Sequence, residues 1–327
     1  MSEYKNERDV AISAVLKASV LCQHVQQQMS ASSTVNKRDK SPVTIADFGT
    51  QALVSELLHS SFPHIPLVGE EDSTELQANE ALCQRMMDTF GQLNIHLDRD
   101  SALRAIDRGT HTGGASGQHW TLDPIDGTKG FLRGDQYAIA LALIENGEVV
   151  LGVLGCPNLY WPDNSDEKGA LFVAVQGQGA FVRKLDGGDT EYPVSVKELS
   201  ALSEANFCES VEAAHSSHSD SARIASLLNI RTSPYRIDSQ CKYAAVARGD
   251  AAIYLRLPTK PGYVEKIWDH AAGVCVIEEA GGKVTDVHGN DLDFSLGRRL
   301  ENNKGVVVSN GQFHEDVLRA VQNVLGI

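Results

Sequence analysis

Trp120-Thr-Leu-Asp123-Pro-Ile-Asp126-Gly-Thr128-Lys-Gly-Phe131 sets two aspartates, a proline and two glycines at the end of a short apolar run. His119 to Leu122 reads as a strand. Pro124 has no N–H to give a ladder, so the strand is expected to stop at Leu122 and the chain to turn. Across a turn closed by Gly127, Asp123 and Asp126 can aim both carboxylates into one space. Ile125 between them can send its side chain to the core and its carbonyl oxygen toward the acids, and Thr128 adds a hydroxyl that can also cap a following turn. Two carboxylates and a carbonyl form a hard-oxygen site, which suits Mg²⁺ better than zinc or iron. Taken alone, D-x-x-D-G is more often an Asx turn whose aspartates bond only backbone amides.

Outward from this stretch, other acids fall at element ends. Pro66 to Gly69 reads as a short buried strand running into Glu70-Glu71-Asp72. Asp269 stands in Ile267-Trp-Asp-His-Ala-Ala-Gly273, just before an apolar helical run to Ala280 that Gly281-Gly282 ends; by itself it is most simply an N-cap. Ala11, Ala14, Val15, Ala18, Leu21, Cys22 and Val25 recur at helical spacing, followed by a polar, aperiodic Gln26 to Ser41 with Lys37, Arg38 and Lys40, expected to be a solvated loop, with a flap carrying positive charge toward a site as the alternative. Helices are expected over Val43 to Ser60, near Glu75 to Phe90, and near Asp98 to Asp107. Tyr137 to Ile144, Val149 to Leu154 and Ala170 to Gln176 read as strands, with Asn146-Gly147 and Gly177-Gln178-Gly179 as turns. Leu185 to Pro193 resembles a linker. Beyond it strands (Asn206 to Glu209, Tyr235 to Asp238, Ala251 to Leu257) alternate with helices (Asp220 to Leu228, Cys241 to Arg248), before Lys283 to Val287, Gly305 to Ser309 and a C-terminal helix from His314. The expected organisation is an α+β domain over 1–190 and an α/β domain over 191–327.

Length and charge narrow the class. The chain has 327 residues, enough for a substantial core, and a net charge of −14 that repels phosphate backbones, so no nucleic-acid partner is expected. A small anionic substrate would need local cations. Six scattered cysteines without a CxxC pair fit reduced thiols. Met1 to Asp9 carries five charges and no apolar run, and no stretch suits a membrane helix. A cytoplasmic, monomeric protein without a membrane partner is the expectation.

Three motifs in order carry a resemblance. Val68-Gly-Glu-Glu-Asp72, Leu122-Asp-Pro-Ile-Asp-Gly-Thr128 and Trp268-Asp-His-Ala-Ala-Gly273 are similar to those of the lithium-sensitive, Mg²⁺-dependent phosphomonoesterases, the superfamily of inositol monophosphatase and fructose-1,6-bisphosphatase. Thr128-Lys-Gly-Phe-Leu-Arg-Gly134, Ser210-Val-Glu-Ala-Ala-His-Ser-Ser-His218, Asp238-Ser-Gln-Cys-Lys-Tyr243 and Tyr254-Leu-Arg-Leu-Pro258 resemble its 3′(2′),5′-bisphosphate nucleotidase branch, with Gln118 a departure where many relatives carry a basic residue. The resemblance implies a layered αβαβα sandwich. It also implies two or three Mg²⁺ ions held by Glu70, Asp123, the Ile125 carbonyl, Asp126 and Asp269, with Asp47 and Thr128 as the catalytic pair. Five acids in one pocket would repel strongly without cations, so the physical reading agrees.

The substrate implied is 3′-phosphoadenosine 5′-phosphate, cut to AMP and phosphate by direct attack of water, with 3′-phosphoadenylyl sulfate as a second substrate. Thr128, His215, Ser239, Lys242, Arg256 and Asp269 are the substrate contacts by the same resemblance. An arginine amid the apolar strand around Arg256 needs a partner, and a phosphate can serve bidentately; an edge-strand arginine facing water is the plainer alternative. An inositol phosphatase and a non-catalytic nucleotide sensor are the rival readings. The sensor would be favoured by loss of Asp47, Thr128 or a metal carboxylate, and all are in place.

Overall fold

In the computed structural model, residues 3–31, 41–161, 164–186, 188–211, 218–258 and 262–327 are described. The apolar stripe from Ala11 to Val25 is buried along one face of α1 (Lys5–Ala31). The helix outruns the loop expected from Gln26. Glutamine is a good helix former, and Gln26 is bonded across the fold, Nε2 to the Phe131 carbonyl at 2.8 Å and Oε1 from Asn158 at 2.9 Å. A polar side chain so engaged carries no hydrophobic period. Lys37, Arg38 and Lys40 lie outside the described residues.

Next come α2 (Ser41–Ser61), β1 (Leu67–Gly69), α3 (Thr74–Ala78), α4 (Glu80–Gln92) and α5 (Arg99–Asp107). The one helix expected over Glu75 to Phe90 is two, because the Asn79 side chain accepts from the Leu82 N–H at 3.1 Å and starts α4 afresh. They are followed by β2 (Gln118–Asp126), α6 (Thr128–Arg133) and β3 (Ala138–Glu145). Contrary to expectation, β2 does not stop at Leu122. Asp123 pairs with Ala140 and Asp126 with Ala138, so β2 spends an extra residue there, and the N–H that Pro124 lacks falls in this bulge.

β4 (Glu148–Trp161), β5 (Asn164–Val175), β6 (Ala180–Lys184) and β7 (Tyr192–Val194) complete a seven-stranded sheet in sequence order, parallel only between β1 and β2. β4 and β5 outrun their expected lengths: past Cys156 their pairing is irregular in register, and the added start of β5 is polar in sequence. β6 gave no clear strand signal, and β7 lies partly inside the expected linker, still paired to β6.

The second half supplies β8 (Phe207–Glu209), α7 (His218–Leu227), β9 (Tyr235–Arg236), α8 (Cys241–Ala247), β10 (Ile253–Arg256), α9 (Ala271–Glu279), β11 (Lys283–Thr285), β12 (Val306–Ser309) and α10 (His314–Leu325). They build a five-stranded mixed sheet, order β11-β12-β10-β8-β9, with β8 parallel to β9 and β10.

Three apolar clusters lie between the layers. The first joins α1, α2, α4 and α5 to one face of the large sheet; the second joins its other face to α8, α9 and the smaller sheet; the third lies between that sheet and α7 with α10. β3 shows how strand period builds this. Ile139, Leu141 and Leu143 enter the first cluster, while Ala138, Ala140 and Ala142 enter the second, where small side chains let α9 lie close to the sheet. The result is a five-layer αβαβα sandwich. Among the described residues no helix is long and apolar enough to cross a membrane.

Candidate active site

One cleft of about 1100 Å³ opens at the ends of β1, β2 and β10, where the two sheets face each other. Glu70, Asp123, Ile125, Asp126, Thr128, Ser239, Lys242, Arg256 and Asp269 all line it. Asp47 is not in its lining; it is buried on α2 behind the acids. His215 lies outside the described residues.

The β2 bulge presents Asp123 and Asp126 while the Ile125 side chain is buried in the first core. Gly127 then takes φ +92°, a left-handed conformation that a Cβ would strain, and α6 begins at Thr128. Asp123 is buried, and its Oδ1 has no hydrogen-bond partner. A buried carboxylate oxygen left unpaired costs free energy unless a proton or a cation meets it. Burial, followed by the charges of Glu70, Asp126 and Asp269, pushes the Asp123 carboxyl well above the usual range. Glu70 opens onto the cleft, yet the protein crowded around it, followed by Glu71 and Asp269, brings it up to about 8. Burial, then Glu71 and Glu70, also raises Asp47. These acids feel one another across the cleft, and oxygen-only donors with an orphaned atom among them fit Mg²⁺.

The opposite wall is cationic. Lys242 is buried, its Nζ donating to the Ser239 carbonyl at 2.8 Å and lying 5.1 Å from the Tyr254 ring centre. Ser239 itself has φ +66°. Arg256 Nη2 reaches Glu265 at 2.7 Å, Asp269 at 3.1 Å and the Tyr263 hydroxyl at 3.4 Å. Asp269 is therefore no N-cap; it sits in a 3₁₀ turn (Ile267–Asp269) facing Arg256, and His270 precedes α9. Burial opposes ionisation of Glu265, but the His270 hydrogen bond and the Arg256 charge outweigh it and bring its pKa down to about 2.

Glu265, Asp269 and His270 offer donor atoms within 4.8 Å of one another. His270 is already engaged, Nδ1 with the Tyr243 hydroxyl at 2.7 Å and Nε2 with Glu265 at 3.3 Å, and Glu265 holds Arg256. His270, Glu265 and Arg256 thus form a bonded brace behind Asp269.

Sequence reasoning missed the residues that fasten these acids. Gln51 is wholly buried; its Oε1 accepts from the Glu71 N–H at 3.0 Å, and its Nε2 donates to the carbonyls of Glu71 (2.6 Å) and Ile106 (2.9 Å). It stands one helical turn past Asp47, so one face of α2 sets both Asp47 and the Glu70–Glu71 segment. A Cβ on Gly69 would lie 2.5 Å from Gln51 Oε1, which explains the glycine before Glu70. Gln240 gives its backbone N–H to Asp126, its Nε2 to the Trp268 carbonyl (2.8 Å), and accepts from the Gly273 N–H (3.1 Å). It joins the Asp126 and Asp269 segments. A lone glutamine amid Ile45, Phe48 and Ala52 was the available signal for Gln51.

The model of the inositol monophosphatase family matches residues 3–325. The chain belongs to that family. A 3′(2′),5′-bisphosphate nucleotidase of Oryza sativa is 48% identical over 98% of this chain and 95% of its own length. One of Schizosaccharomyces pombe is 45% identical over 97% and 95%. Among solved structures of the family's fold, an inositol monophosphatase from Anabaena superposes with a TM-score of 0.63 at 22% identity, covering 98% of this chain and 97% of that one. SuhB of Mycobacterium tuberculosis gives 0.64 at 19%, covering 100% and 99%. The sandwich expected from the motifs is the family's fold.

Proposed function

We propose that the chain hydrolyses the 3′-phosphate of 3′-phosphoadenosine 5′-phosphate, giving AMP and phosphate. The observation that carries this reading is the polarity of the cleft. An acid wall with an unpaired, buried Asp123 Oδ1 faces a wall bearing Lys242 and Arg256. A substrate with two separate phosphates suits both walls, and the two nucleotidase relatives named above support it. Lys242 and Arg256 also weigh against a singly phosphorylated inositol.

Glu70, Asp123, the Ile125 carbonyl, Asp126 and Asp269 would hold Mg²⁺, two ions or more. Bound there, Mg²⁺ would supply Lewis-acid stabilisation of the phosphoryl oxygens and a more acidic water. Thr128 Oγ1 orients the attacking water, and Asp47 takes its proton. Burial and the charges of Glu71 and Glu70 raise Asp47, which makes it a better proton acceptor than an exposed carboxylate. The P–O3′ bond breaks as the water oxygen bonds phosphorus; the 3′ oxygen leaves as an alkoxide and takes a proton from solvent water to become the 3′-hydroxyl, and Asp47 returns its proton to solvent. Arg256, fixed by Glu265, and Lys242 bind the 5′-phosphate that stays on the product, with Ser239 and His215 as further contacts.

The test is phosphate release from the bisphosphate nucleotide and from inositol 1-phosphate, with Mg²⁺ and with excess chelator. The nucleotide should turn over faster, only with Mg²⁺, and with inhibition by Li⁺. Faster release from inositol 1-phosphate, or full turnover in chelator, would overturn the reading.

A further inference from the structure

Arg298 belongs to no motif read in the sequence and does not line the cleft. Its guanidinium is nonetheless shared among three carbonyls. Nη1 donates to Gly109 and His111, each at 3.0 Å, and Nη2 to Gly69 at 2.6 Å. Its Cζ lies 4.8 Å from the centre of the Trp268 ring. Gly69 immediately precedes Glu70, and Trp268 immediately precedes Asp269.

The backbone around Arg298 is fastened to the same turn. The Arg298 carbonyl accepts from the Ile267 N–H at 3.2 Å, and the Leu300 N–H donates to the Glu265 carbonyl at 3.0 Å. A bridge pairs Lys266 with Arg299 between them. The main chain of Arg298 is thus registered against the segment that presents Asp269, while its side chain grips the strand end that presents Glu70. Those acids come from distant parts of the sequence.

We infer that Arg298 is a positioning residue that fixes the spacing of Glu70 and Asp269, and with it the Mg²⁺ sites of the cleft. This rests on the reading of the cleft as a metal site given above. A flat fork of donors with an apolar face can serve three diverging carbonyls and stack on an indole at once; a lysine ammonium cannot. Groups that orient metal ligands typically cost 10- to 100-fold in metal affinity when lost, and that sets the scale for Arg298.

The experiment compares wild type, Arg298→Lys and Trp268→Leu by the Mg²⁺ dependence of Tm without substrate, and by the Mg²⁺ dependence of phosphate release. Arg298→Lys should need about 10- to 100-fold more Mg²⁺ for half of its thermal shift, with kcat returning toward wild type at saturating Mg²⁺. Trp268→Leu should move the midpoint the same way by less, and it carries the test if Arg298→Lys does not fold. A lower Tm with the Mg²⁺ midpoint unmoved would make Arg298 a merely structural residue and overturn the inference, as would a wild type with no Mg²⁺ response. A wild type that binds Mg²⁺ but releases no phosphate from the bisphosphate nucleotide would overturn the proposed function instead, leaving the Arg298 comparison readable in Tm.

Discussion

Asp123 Oδ1, buried, and Arg256 Nη2, half-buried, are opposite cases of a polar atom at the cleft. The first has no hydrogen-bond partner and the second has two carboxylates. Asp123→Asn removes a charge crowded by Glu70, Asp126 and Asp269. The metal-free variant should therefore melt above metal-free wild type, while its gain in Tm on adding Mg²⁺ shrinks. A variant that melts lower without metal would show that the acids are not in mutual repulsion. Thr128→Val, by contrast, should lower kcat about 10²-fold, the scale of a lost acid–base group, with the Mg²⁺ midpoint little changed. Arg256→Ala should lower kcat/KM for the bisphosphate by roughly 10- to 150-fold, from ~1.5–3 kcal/mol for a buried charge-assisted contact. The loss on 3′-AMP should be smaller but real, because the same nitrogen also holds Asp269. Equal losses on the two substrates would remove Arg256 from the phosphate site.

At the scale of elements, β11, β12 and α10 are knotted through His314. Thr285 Oγ1 donates to the Asp286 carbonyl at 3.0 Å, so it accepts from His314 Nε2 at 2.9 Å. Ser309 Oγ accepts from the Gly311 N–H at 3.1 Å and gives its proton to His314 Nδ1 at 2.8 Å. The neutral, Nε2-protonated ring satisfies all four bonds. Burial, then the Lys283 charge, pushes His314 down to about 4. The folded protein thus binds fewer protons here than the unfolded chain. Stability from this group is complete above the unfolded value of about 6.5 and lost as pH falls toward 4, by up to about 3 kcal/mol. Urea midpoints at pH 7.5 and 4.5 should differ more for wild type than for His314→Gln; equal differences would clear His314 of the effect. His314 also shows why legibility stops where it does. The core stripe of α1, the two-faced pattern of β3 and the acids of the cleft were legible because each is a local spacing or a short motif. The run of β2 through Pro124, the break at Asn79 and the pairing of β7 depend on a bulge, a single cap and a distant strand. Gln51, Gln240 and Arg298 act on backbone carbonyls and amides far along the chain, and Glu265 on the Arg256 charge beyond an irregular turn; no local period marks such partners.

For the whole molecule, the acids of the cleft and the one behind it come from several layers: Glu70, Asp123 and Asp126 from the large sheet and its margin, Asp269 from the turn before α9, and Asp47, behind them, from α2. A cation bound there ties the layers together, so Mg²⁺ should stabilise the protein against global unfolding, by about 2.7 kcal/mol at 100 times its Kd. A chelator titration followed by calorimetry checks this, and a Tm indifferent to chelator would refute it. The outer strands have a different consequence. The large sheet ends in β1 and β7, each of 3 residues, and the smaller one in β11, of 3, and β9, of 2. The long ladders of β4 and β5, of 14 and 12 residues, are interior. A stranger's chain meets only a few open N–H and C=O groups at any margin, one of them occupied by the ring of Pro193. Among the described residues, templated growth of one copy onto another, the seed of fibrils and precipitates, has almost no strand edge on which to begin.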